Sequence, residues 1–172
     1  ERSGEASVTM AMLDEGAGDL DALEISAQLA TLGATLGADA SLDTVAVSMS
    51  ALSENLDASL DLFAKVILNP TFPADELERL RAQYLTLIQQ EKSEPVSMAL
   101  RVLPGLLYGD NHAYGKPLTG SGTEATIGAI QRDDLINWHT TWFRPNNATL
   151  IIVGDTRIDD IAPRIEKLFR GW

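Results

Sequence analysis

The chain has 172 residues, 45% of them hydrophobic and 22% charged, a balance that supports one folded domain and excludes a disordered tail. Its formal net charge of -12 at pH 7 gives a surface that repels phosphate backbones, which excludes nucleic acid as a partner. The absence of cysteine excludes disulfides, thiolate metal sites and cysteine nucleophiles together, and is compatible with either the bacterial periplasm or the cytoplasm. No apolar run reaches the length of a membrane span, and the opening Glu1-Arg2-Ser3-Gly4 does not look like a natural N-terminus.

Within residues 5–15 the apolar run Val8 to Leu13 ends at Gly16 and Gly18, and suits a short helix closed by glycine. Asp21 and Glu24 stand three apart, the spacing of a capping box. Ala22, Ile25, Leu29 and Leu32 follow at helical spacing up to Gly33. The period then changes. Val45, Val47, Met49 and Ala51 alternate with Thr44, Ala46, Ser48 and Ser50, as in a half-buried strand. Residues 34–41 supply an antiparallel partner across a tight turn at Leu42-Asp43, although no Asn-Gly or Asp-Gly stands there. Ser53 is placed to cap a helix whose core face is Leu56, Leu60, Phe63 and Ile67, and Asn69-Pro70 stops it.

Pro73 opens a longer helix through about Lys92, with Leu77, Leu80, Tyr84 and Leu87 on one side. Pro95 and Pro104 bracket a further helical run, Val96 to Leu103. Tyr108 to Gly122 is rich in Gly, Asn, Asp and Pro and reads as an extended loop. Helices follow near 123–130 and 132–142, and Ala148 to Val153 has the length and apolar character of a strand. Ile158, Ile161, Ile165 and Leu168 line a last amphipathic helix. The class implied is α+β, an antiparallel sheet backed by helices. There is too little strand for a complete sheet, so the single domain over 1–172 reads as incomplete, with neighbours missing at both ends. Residues 1–105 make a first half, and residues 106–172 a loop and the start of a second.

Several of these pieces occur together in one family. Leu13-Asp14-Glu15-Gly16-Ala17-Gly18, Ile25 through Leu32-Gly33-Ala34, and the strand from Asp43 to Leu52 come first. Asn55-Leu56, Leu60, Leu62, Pro70-Thr71-Phe72 and Glu78-Arg79 follow. Leu107-Tyr108-Gly109, His112-Ala113-Tyr114-Gly115 and Gly120 with Thr123 come next, then Arg144-Pro145-Asn146-Asn147-Ala148 leading to Ile151-Ile152-Val153-Gly154-Asp155. In that order and spacing the chain, over nearly its whole length, resembles a domain of the insulinase (pitrilysin-like) zinc peptidase family, M16, with its metallohydrolase-type fold. The resemblance implies a zinc endopeptidase built from paired homologous domains or subunits that enclose a chamber for unfolded peptide. One half carries His-x-x-Glu-His and a distant Glu on a later helix. Two imidazoles one turn apart hold the zinc, and the Glu between them polarises metal-bound water.

Anchored on Gly16 and Ile25, that motif's positions fall at Ser7, Met10 and Ala11, and the distant ligand's at Leu87. No imidazole or carboxylate stands at any of the four. The resemblance therefore implies no catalytic residue, metal ligand or cofactor in this chain, which alone is expected to be inactive; zinc is expected in a homologous partner domain or subunit. His112 matches the family's His-Pro-Tyr-Gly turn, with Ala113 in place of proline, and a turn-shaping role is expected of it. His139, on a helix between Trp138 and Trp142, reads as an ordinary half-buried histidine. Ser121 has Thr119 and Thr123 where a Gly-x-Ser-x-Gly elbow needs glycine. Gly120-Ser121-Gly122 lacks the following Lys-Ser or Lys-Thr of a phosphate loop, so a plain flexible turn is expected there. Asp155, Asp159 and Asp160 do not match an EF-hand loop and suit the start of the last helix.

The resemblance, with those positions lost, implies a non-catalytic, substrate-holding domain of an insulinase-type metalloendopeptidase, expected to work in proteolysis beside a zinc-bearing partner half. It would grip peptide backbone along an exposed strand edge. The Arg and Tyr with which such halves hold substrate would come from beyond Trp172. The alternative is a scaffold or interaction protein of the same fold with no peptidase work, and a neighbouring His-x-x-Glu-His sequence separates the two. An unrelated α+β binding module is a third reading.

Overall fold

In the computed structural model, which describes residues 2–172, helices dominate and four short strands form two antiparallel ribbons. The first helix, α1 (Glu5–Ala11), sinks Val8, Thr9 and Met10 into the interior. It ends at Met12 in right-handed conformation, with no glycine closing it. The expected glycine stop is thus corrected. Gly16 belongs to β1 (Gly16–Ala17), which pairs with β2 (Leu20–Asp21) around Gly18 at φ 62°. Gly16 answers a tertiary need, because an added Cβ there would lie 2.4 Å from Thr71 Oγ1.

Helix α2 (Ala22–Leu32) opens on the expected capping box: Glu24 N–H donates to Asp21 Oδ1 at 2.8 Å, and Asp21 N–H donates to Glu24 Oε2 at 3.0 Å. Gly33, at φ 62°, ends it in the left-handed conformation. Strands β3 (Thr35–Ala40) and β4 (Val45–Ser50) then pair antiparallel with Ala38 opposite Val47. Leu36, Ala38, Ala40, Val45 and Val47 face the core. Hydroxyls supply the turn chemistry that the missing Asn-Gly would have given: Ser41 Oγ donates to the Thr44 carbonyl at 3.0 Å, and Ser41 N–H donates to the same oxygen at 2.8 Å.

Ser53 starts a single 3₁₀ turn, and no side chain caps α3 (Leu56–Leu68). The helix buries Leu62, Phe63, Val66 and Ile67, while Leu56 and Leu60 stay half-buried. In α4 (Ala74–Ser93) Leu77, Leu80 and Ile88 are buried; Leu87, expected on that side, is exposed. Helix α5 (Pro95–Tyr108) runs straight through Pro104, where the sequence suggests an end. A helical proline cannot donate to the carbonyl four residues back, and here the Leu100 carbonyl accepts from Leu118 N–H at 3.1 Å instead.

Helices α6 (Glu124–Ala129), α7 (Arg132–Trp142) and α8 (Ile158–Phe169) complete the chain. Ala148 to Val153, expected as a strand, is irregular instead, because among the described residues no strand pairs with it. Its side chains lie exposed, Val153 at 92%. The interior is one cluster in which α1 is central, packed against both β3 and α7. Each fully buried aliphatic side chain of that cluster contributes roughly 1.5–3 kcal/mol. Among the described residues no helix is long and apolar enough to cross a membrane.

Candidate functional site

Four elements that sequence order keeps apart meet around a cleft of about 290 Å³. Ser7 and Ala11, one turn apart on α1, form one wall. Ala38, Asp39 and Ala40 of β3 form the next, Tyr84 and Leu87 of α4 the third, and Thr119, Gly120 and Ser121 the fourth. The structure therefore brings Ser7, Ala11 and Leu87 together on one cavity and leaves Met10 outside it, buried in the core at 1% exposure. Along β3, β4 is the one hydrogen-bonded neighbour among the described residues, which leaves the opposite edge unpaired.

The chemistry of this cleft is sparse. Ser7 donates its hydroxyl proton to the Gly120 carbonyl at 2.9 Å, Ala11 has no donor or acceptor in its side chain, and Leu87 is apolar. Burial pushes the Tyr84 phenol above its usual range, so it is protonated at neutral pH. Asp39 is the one carboxylate on the lining. A divalent zinc needs three or four convergent N, O or S ligands, and among the described residues no group of three or more His, Asp or Glu stands where it could hold a metal ion. The side chains present do not fit the zinc that the resemblance implies.

Behind the Thr119–Ser121 wall lies a polar cluster that sequence reasoning missed. Glu91, one turn beyond Leu87 on α4, pairs with Arg101 of α5, and their side chains are 9% and 8% exposed. Ser121 donates to Glu91 Oε2 at 2.7 Å and is itself 1% exposed. The segment expected as a flexible turn is in fact pinned on both sides. Its one sequence signal was a serine between two glycines, which fits a buried turn as readily as a loose one.

Neither histidine lines the cleft. His112 is exposed; its Nδ1 accepts from Tyr114 N–H at 3.1 Å and its ring stacks on Tyr108 with centroids 5.3 Å apart, which is the turn-shaping role expected. Tyr114 ties that loop to the β3–β4 turn by donating its hydroxyl to Asp43 Oδ1 at 2.7 Å. His139 is buried rather than half-buried. Its Nε2 lies 2.9 Å from the Ile67 carbonyl, which can only accept, so Nε2 carries the proton. Phe143 stacks on its ring at 4.4 Å. Burial lowers the pKa of His139, against the bond to Ile67, which raises it. Asp159 and Asp160 occupy the first turn of α8, as expected.

The profile described as Insulinase (Peptidase family M16) matches residues 3–121, more than half of the chain. The chain belongs to the insulinase peptidase family. A second profile of that family, described as Peptidase M16 inactive domain, matches residues 129–172. A curated insulinase-family relative, the non-peptidase homolog YmxG of Helicobacter pylori, is 25% identical over 94% of this chain and 37% of its own length. The crystal structure of a peptidase M16 inactive domain from Pseudomonas fluorescens superposes with a TM-score of 0.76 and 34% identity over 81% of this chain and 34% of that one. A protease from Helicobacter pylori matches the fold of 99% of this chain, and 40% of its own, at a TM-score of 0.85 and 22% identity. The chain thus spans two fifths or less of the length of these insulinase-family proteins.

Proposed function

We propose that this chain is a non-catalytic part of an insulinase-family protein that holds extended peptide beside a homologous, zinc-bearing domain or subunit. The observation that carries the reading is the cleft. An unpaired edge of β3 runs along it at Ala38–Ala40. The facing α1 positions are the small residues Ser7 and Ala11, which leave room for a strand-like backbone. On this reading Ser7, Met10, Ala11 and Leu87 are the family's zinc-motif positions with their chemistry lost. Residues 1–105 and 106–172 are the first half and the opening of the second half of one domain. Its likeness to a non-peptidase homolog and to an inactive domain supports such a role.

The test is binding without cleavage. Fluorescence anisotropy with a labelled unstructured peptide should show saturable binding to the protein. Ala11→Trp, which fills the cleft, should weaken that binding by about tenfold, ~1.4 kcal/mol. Cleavage by this chain and stoichiometric zinc in it are both expected to be absent. Retained zinc, or binding indifferent to Ala11→Trp, would overturn the reading. Absence of any peptide binding would favour the scaffold alternative.

A further inference from the structure

We infer that Arg101 is a positioning residue whose buried guanidinium fixes the Thr119–Ser121 wall of the cleft and, through that wall, ties α4 to α1 across a cavity whose own side chains do not fit a metal. The guanidinium sits where α4, α5 and the turn 119–122 converge. Its Nη1 donates to Glu91 Oε2 and to Ser121 Oγ, the latter at 2.7 Å, and its Nη2 donates to the Gly122 carbonyl at 2.7 Å. Ser121 gives its single proton to Glu91, and the Thr119 hydroxyl stands 2.9 Å from Ser121 Oγ and 3.4 Å from Glu91 Oε2, with one proton for the two acceptors. On the far side of the same turn the Gly120 carbonyl accepts from Ser7 of α1 at 2.9 Å. Gly122 lies against the entry to α1: an added Cβ would fall 2.6 Å from the Ser3 carbonyl oxygen and 3.1 Å from Gly4 Cα. A continuous chain of contacts therefore runs from Glu91 through Arg101 and the turn to Ser7.

The energetics favour a positional role over a stabilising one. A buried ion pair recovers little beyond its desolvation cost, so it is weak evidence for stability, but breaking it leaves an uncompensated charge. What it specifies is geometry. Three acceptors lie within reach of one planar fork, a demand that arginine meets and the point charge of lysine does not.

Hydrogen exchange on the protein tests this directly. In Arg101→Met the amides of residues 119–122 and of the first turn of α1, residues 5–8, should exchange about tenfold faster, with the hairpin 35–50 changed less than about twofold. Arg101→Lys should fail to restore the slow rates. Ser121→Ala, which leaves the ion pair in place, should show the same pattern at smaller size, and it carries the test if Arg101→Met does not fold. A rise confined to residues 91–101, with 119–122 and α1 unchanged, would overturn the inference. The link to peptide rests on the reading of the cleft as a peptide-holding groove. Binding measured on the same samples separates the two: a wild type that binds no peptide sinks that reading, while the exchange pattern still judges Arg101.

Discussion

An imidazole enclosed by Phe72, Phe143 and the Ile67 carbonyl couples folding to pH. Burial lowers the pKa of His139 below its ordinary 6.5, so below that pH the folded chain binds fewer protons than the unfolded one. The stabilisation is fully present above pH 6.5 and is lost progressively as pH falls below it. Denaturant midpoints at pH 7.5 and 5.5 should therefore fall further for the wild type than for His139→Gln, which keeps a donor for Ile67 but does not titrate. Equal falls would show that this ring titrates alike in the folded and the unfolded chain and so carries no pH dependence. Gly16 stands where a side chain has no room. Its backbone is crowded by Thr71 Oγ1 and by Pro73 Cγ, 2.4 and 3.0 Å from where a Cβ would stand. Gly16→Ala should cost about 1–3 kcal/mol in chemical denaturation. Gly154→Ala, which would meet nothing within 4 Å, should change stability by less than about 0.5 kcal/mol.

Among the elements, α5 sets propensity against tertiary satisfaction. An interior proline costs about 3 kcal/mol relative to alanine in a free helix, yet Pro104 is buried and the carbonyl it deprives, that of Leu100, is taken by Leu118. Pro104→Ala should accordingly gain less than about 1 kcal/mol, because the orphan acceptor is already satisfied and the packing of the ring is lost; a gain near the full helix value would show that the Leu118 bond contributes nothing. The same contrast explains which elements the sequence makes readable. The capping box of Asp21 and Glu24, the left-handed Gly33 and the alternation Val45, Val47, Met49 are local signals, and they place α2 and the hairpin correctly. The passage of α5 through Pro104 depends on Leu118, fourteen residues on, and no local signal encodes it. Ala148 to Val153 has strand chemistry without a strand, because a strand is defined by its neighbour. At the site, resemblance alone singled out Ser7, Ala11 and Leu87, which the fold gathers on one cleft. Glu91 and Arg101 stayed hidden because a surface-type Glu and Arg reveal their pairing only when helix packing buries them, and Ser121, weighed only as a nucleophile or in an anion loop, proves to be their buried partner.

For the 172-residue chain by itself, two opposing surface properties decide how copies behave together. The net charge of -12 repels like chains, but that repulsion is screened beyond about 8 Å at physiological salt. Against it stand Ile151 and Val153, 79% and 92% exposed on a segment that pairs with no strand among the described residues, and Val96, Leu106 and Leu107, exposed on α5. Apolar burial at about 25 cal/mol per Å² is insensitive to screening, and an apolar segment outside any sheet is open to strand addition. The apolar term should win once salt is present, so the 172-residue chain is expected to self-associate, more strongly at high salt than at low, in sedimentation velocity. Replacing Ile151 and Val153 together by lysine should shift the distribution toward monomer. Those substitutions also bring the net charge nearer zero, which by electrostatics alone would favour association. A shift toward monomer therefore assigns the contact to the 148–153 segment, and unchanged association would move it to the face of α5.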